Sequence, residues 1–73
     1  MTIEMTSVDS SMIDSLGYDE ESLTLAVEFR ATHSTWHYRP VPASTYTALI
    51  HSPSIGKTFN SLIKGHYSAS QVS

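Results

Sequence analysis

The segment SLTLAVEFR, residues 22–30, alternates apolar and polar positions along its length. A period of two puts Leu23, Leu25, Val27 and Phe29 on one side of an extended strand, and Thr24, Ala26, Glu28 and Arg30 on the other. A strand with one apolar face has to bury it, and a chain of 73 residues has room to do so only within one small domain. The chain has no cysteine, so neither a disulfide framework nor a thiolate metal site is available to it, and the fold rests on its apolar core or on a partner.

The flanking segments repeat the pattern. SMIDSLGYD, residues 11–19, reads as a strand joined to the first by the polar connection Asp19-Glu20-Glu21-Ser22, which makes a hairpin. THSTWHYRP, residues 32–40, alternates again, with Trp36 and Tyr38 on one face and Thr35, His37 and Arg39 on the other, until Pro40 and Pro42 end ladder pairing. The segment TIEMTSV at residues 2–8 can extend this meander. Beyond the prolines the period becomes helical. Tyr46, Leu49 and Ile50 share one face, and Ser52-Pro53 offers an N-cap followed by proline for a second helix. In that helix Ile55, Phe59, Leu62 and Ile63 form the buried face, packed against Leu23, Leu25, Val27 and Phe29, and Gly65 provides a left-handed stop. The expected fold is α+β: an antiparallel β-meander of three to four strands followed by two short helices packed on one face. Residues 1–73 form a single domain, with 1–6 and 68–73 free to be flexible ends.

The string Gly56-Lys57-Thr58 matches the end of a phosphate-binding nucleotide loop. Such a loop needs a glycine five residues before the Gly-Lys pair, where His51 stands, and a preceding strand of a parallel sheet, which this chain is too short to supply. Lys57 and Thr58 therefore read as residues inside a short helix. His33 and His37 would lie about 13 Å apart on a strand, too far to share a metal. No serine is placed beside a base in the manner of an activated nucleophile, and the carboxylates Asp19, Glu20 and Glu21 read as a solvated turn. The expectation is a protein that is not an enzyme and uses no cofactor or metal.

The formal net charge is −3, and all seven carboxylates, from Glu4 to Glu28, precede all four fixed cations, Arg30, Arg39, Lys57 and Lys64. The histidines His33, His37, His51 and His66 also follow the last carboxylate, and the whole reads as a solvated, mixed-charge surface. Apolar runs are too short for a membrane span, and the acidic start lacks the features of a signal peptide, so the expected location is the cytoplasm.

Taken in order, several blocks resemble the KTSC domain, a small module found alone in bacteria and phages and at the C-terminus of some lysyl-tRNA synthetases. They are Ser10-Ser11-Met12-Ile13 leading to Gly17-Tyr18-Asp19, the strand Thr24–Phe29, Val41-Pro42 before the helix with Tyr46 and Leu49, and above all Ser54–Tyr67, with its Gly, Phe-Asn, Ile-Lys-Gly and Tyr. The resemblance spans roughly residues 7–67. The family's central Tyr-x-Tyr is Trp36-His37-Tyr38 here, which keeps an aromatic pair but loses the first hydroxyl. The resemblance implies the fold and an RNA-binding accessory role, and it brings no catalytic residue.

Length and whole-chain character are also similar to those of small bacteriophage transcription regulators, which bind host RNA polymerase, inhibit initiation and promote terminator readthrough. That resemblance implies a protein partner in the host cytoplasm. Sparse fixed cations favour it over RNA, whose binding ordinarily requires a basic footprint. The expected partner-binding residues are Thr35, His37, Arg39 and Glu28, beside Thr24, on the sheet face opposite Trp36 and Tyr38.

Overall fold

A computed structural model describes residues 3–73. The chain forms β1 (Met5–Ser7), β2 (Ile13–Asp19), β3 (Thr24–Phe29), β4 (Thr35–Arg39), α1 (Ala43–Ile50), α2 (Ile55–Leu62) and β5 (Ser68–Gln71). All neighbouring strands pair antiparallel in the order β1-β2-β3-β4-β5. The chain leaves β4, lays both helices on one face of the sheet and returns as β5 along the free side of β4.

Cross-strand register builds the inner, helix-covered face in rows. Leu16, Val27 and Trp36 stand side by side, as do Tyr18, Leu25 and Tyr38. Ile13 would point to the opposite face if β2 kept strict alternation. A register shift between Ile13 and Ser15 absorbs one residue and returns Ile13 to the core, opposite Phe29. Ile55 and Phe59 of α2 and Leu49 of α1 meet this face together with Val41 and Ile63. The Phe59 ring sits edge-on to Phe29 at 5.6 Å and to Tyr38 at 5.4 Å between centroids, a geometry that suits the aromatic quadrupole.

Several expectations change. The sheet has five strands rather than three to four, because Met5–Ser7 and Ser68–Gln71, within or at the segments read as flexible ends, pair along its two edges. The second helix starts at Ile55 with Ser54 at the N-cap, later than the Ser52-Pro53 reading. The Ser52 hydroxyl instead accepts the Ser54 N–H and bonds the Thr58 hydroxyl. Leu62 and Leu23 lie outside the core, each 39% exposed. The helix aims Ile55, Phe59 and Ile63 inward at intervals of four and leaves Leu62 on its flank. Leu23 has φ +55 and belongs to the turn before β3, where its carbonyl accepts the Val41 N–H at 2.8 Å. Gly65, at φ +81, is left-handed as its place after the second helix demands. Among the described residues no helix is long and apolar enough to cross a membrane.

Candidate functional site

The outer face of the sheet carries the residues that alternation turns away from the helices. Its rows follow from the register: Ser15 beside Glu28 beside Thr35, then Gly17 beside Ala26 beside His37 beside Ser70, with Arg39 beside Ser68 at the end of β4. All four residues expected to meet a partner therefore share one face. Arg39 is exposed, and His37, Thr35 and Glu28 are half-buried. The Glu28 carboxylate accepts the Ser15 hydroxyl at 3.0 Å, which holds its side chain along the sheet surface. Thr24 is not available to a partner: it is buried, and its hydroxyl is engaged with Ser22.

Small side chains keep this face low. A β-carbon on Gly17 would come within 2.6 Å of the Glu4 carbonyl oxygen and 2.7 Å of the Ile3 methyl, so Ile3, Glu4 and the Met5 side chain cover β2 at Gly17. Among the described residues no such strap reaches His37 and Arg39 on β4, at the side of the sheet where β5 contributes Ser68 and Ser70 to this face. Sequence reasoning missed Ser15, Ser68 and Ser70 as neighbours of the site. Alternation within β2 could have placed Ser15, but nothing in SASQ marks the last strand.

On the other face Tyr38 is buried and Trp36 half-buried, consistent with their expected place in the core. Burial raises the Tyr38 and Tyr46 hydroxyl pKa values above the ordinary tyrosine value, so both remain neutral packing groups. Tyr18 stacks on Tyr46 at 4.8 Å and donates its hydroxyl hydrogen to the Val41 carbonyl, which ties β2 to the start of α1. Gly56, Lys57 and Thr58 lie inside α2. His33 sits in the turn between β3 and β4 with φ +56, apart from the extended ladder that holds His37.

Strand order gives the charge pattern a spatial meaning. Because the strands lie side by side in chain order, the carboxylates of the first half lie along β1–β3, whereas Arg39 stands on β4 and Lys64 precedes β5. Lys57 does not follow this division, because α2 returns it to residues 9–12 beside Asp9. Arg30 is a second exception. It pairs with Asp14 at 3.2 Å and donates to the Ser10 carbonyl at 3.0 Å.

Comparison with known proteins matches residues 9–67 to the KTSC domain model. An uncharacterized protein of Stutzerimonas stutzeri is 36% identical over 66 residues, covering 89% of this chain and 92% of that protein. A lysine–tRNA ligase of Nostoc punctiforme is 35% identical over 65 residues, which cover 89% of this chain but 11% of the ligase. The crystal structure of a KTSC domain protein from Yersinia pestis superposes with a TM-score of 0.93 at 29% identity, covering 99% of this chain and all of that one.

Proposed function

The chain belongs to the KTSC domain family, and from that premise we propose that it is a non-enzymatic regulator that binds host RNA polymerase in the cytoplasm, inhibits initiation and promotes terminator readthrough. The observation that carries the reading is the open outer face of β3 and β4, where Glu28, Thr35, His37 and Arg39 lie together with neither helix over them. A face bearing both signs of charge suits the mixed rim of a protein interface. It suits phosphate less well, since only four fixed cations are present and Arg30 is already paired with Asp14.

The test is retention of RNA polymerase from a bacterial host lysate on the immobilised chain after nuclease treatment. Retention without nucleic acid, together with inhibited initiation and increased readthrough in a purified transcription assay, is the expected result. Loss of polymerase with the nuclease would contradict it.

A second reading, an RNA-binding accessory module, is favoured by one observation: a segment 35% identical to this chain lies within a lysine–tRNA ligase. Under that reading the chain binds structured RNA, and affinity falls steeply as salt is raised.

A further inference from the structure

β5 is an edge strand, and the bonding pattern of β4 fixes which of its backbone groups are free. The Val72 N–H donates to the Thr35 carbonyl at 2.9 Å, and on the other side of β4 the Phe29 N–H donates to the Ser34 carbonyl at 2.9 Å. Antiparallel bonding alternates along a strand. Thr35, His37 and Arg39 therefore bond toward β5, Thr35 to Val72 and Ser73, His37 opposite Ser70 and Arg39 opposite Ser68. The N–H and C=O groups of Ala69 and Gln71 are left pointing away from the sheet. Edges of this kind are usually guarded by charge, proline or a bulge. β1 has Glu4 just before it and Asp9 two residues after it, whereas Ser68–Gln71 contains neither charge nor proline, and the bulge in which the Val72 and Ser73 N–H groups share the Thr35 carbonyl lies beyond its end.

Two different surfaces flank this edge. On the inner side the helices leave uncovered an open groove of about 830 Å³, lined by Met12, Phe29, Trp36, Tyr38 and Gln71 among others. On the outer side Arg39 stands opposite Ser68 and His37 opposite Ser70. At the start of β5 the turn from α2 carries exposed Lys64 and His66. Among the described residues, β4, β5 and that turn contain no carboxylate.

We propose that the β5 edge is a docking site for an extended acidic polypeptide segment that adds as a sixth strand. Main-chain bonds to Ala69 and Gln71 supply the pairing. Side chains of the added strand opposite Ala69 and Gln71 fall on the inner face, where apolar groups enter the groove beside Trp36. Those opposite Ser68 and Ser70 fall on the outer face, where carboxylates meet Arg39 and His37. The segment is thus specified as an alternation of apolar and acidic residues. A polypeptide fits better than a nucleic acid because the free groups alternate donor and acceptor along the edge, whereas phosphates only accept. The proposal stands whether or not the partner is RNA polymerase.

The probe is a fluorescein-labelled peptide of about ten residues alternating glutamate with leucine or valine, a length that matches ordinary strands. Its controls are a peptide of the same composition arranged in blocks, and oligouridylate. The alternating peptide should bind at least about tenfold more tightly than the block peptide, a difference of about 1.4 kcal/mol. On binding, the Ala69 and Gln71 amides should exchange hydrogen at least about tenfold more slowly, while those of Ser68 and Ser70, already bonded to β4, stay as they were. Ala69→Pro, which removes one outward N–H, and Arg39→Glu, which reverses the flanking charge, should each weaken binding. The exchange measurement uses the unaltered protein, so it decides the matter even if the proline variant fails to fold. Equal affinity for both peptides, protection at β1 instead of β5, or no binding near millimolar peptide would overturn the proposal. Oligouridylate binding without protection at Ala69 and Gln71 would overturn it too, and would assign the cationic margin to phosphate.

Discussion

The two faces of the sheet are made by the same strands and are buried in opposite ways. On the inner face, Leu16, Leu25, Val27 and Ile13 are closed off by two helices that bring Leu49, Ile55, Phe59 and Ile63 to meet them. On the outer face, Ala26 at 1%, Thr24 at 3% and Ser15 at 6% exposure are nearly as inaccessible, although no helix covers them. They are buried because they are small, lying among taller neighbours and, at Gly17, beneath residues 3–5. The inner face gains stability from the amount of apolar surface it removes from water. The outer face contributes little of that kind, and its side chains on β4 can be chosen for a partner with little consequence for folding.

The contrast breaks most visibly at its apolar centre. Phe59→Ala removes the ring that touches Phe29 and Tyr38 and should destabilise the fold by about 3–5 kcal/mol. A chemical denaturation series would measure it, and an unchanged midpoint would show that the inner face is not the source of stability. A smaller loss is expected at Gly17→Ala, whose new methyl meets backbone and side chains of residues 3–5. The cost should be about 1–3 kcal/mol, seen in the same experiment and accompanied by shifted amide resonances in β1. Full stability would mean that residues 3–5 do not lie on the outer face in solution. Leu23→Gly sharpens the comparison from the other side. Leu23 is a half-exposed apolar residue at φ +55, a conformation that costs a side-chain-bearing residue about 1–2 kcal/mol. Glycine gives part of that back through its unfolded-state entropy, so a rise of about 0.5–1 kcal/mol is expected.

Much of the inner face is legible in the sequence because apolar alternation and face burial are the same fact read twice. Leu25, Val27, Trp36 and Tyr38 could be assigned to one side without coordinates. Leu23 continues the pattern but not the strand, since a turn takes its backbone to meet Val41. Leu62 matches a helical interval and still lies on the flank, because the line through Ile55, Phe59 and Ile63 already fills the contact. β5 was not legible: SASQ has no apolar pattern, and it is a strand because β4 offers it an unpaired side. For the same reason the neighbours of His37 and Arg39 were invisible, although the face they occupy was not. Strand order sets the carboxylates along β1–β3, but the helix packing, which the charge pattern does not foretell, brings Lys57 back beside Asp9.

The smallest expected change in stability accompanies the largest expected change in binding. His37→Ala combined with Arg39→Ala alters only the outer face of β4 and should shift stability by no more than about 0.5 kcal/mol. Trp36→Ala, on the opposite face of the same strand, should lower the melting temperature and affect contacts of a partner with the outer face only as far as it unfolds the chain. The most direct measurement is therefore the affinity of the folded double variant for purified RNA polymerase, taken beside its melting temperature. A clear loss of affinity at an unchanged melting temperature is the predicted result. Wild-type affinity in a fully folded double variant would contradict the assignment of partner binding to this face.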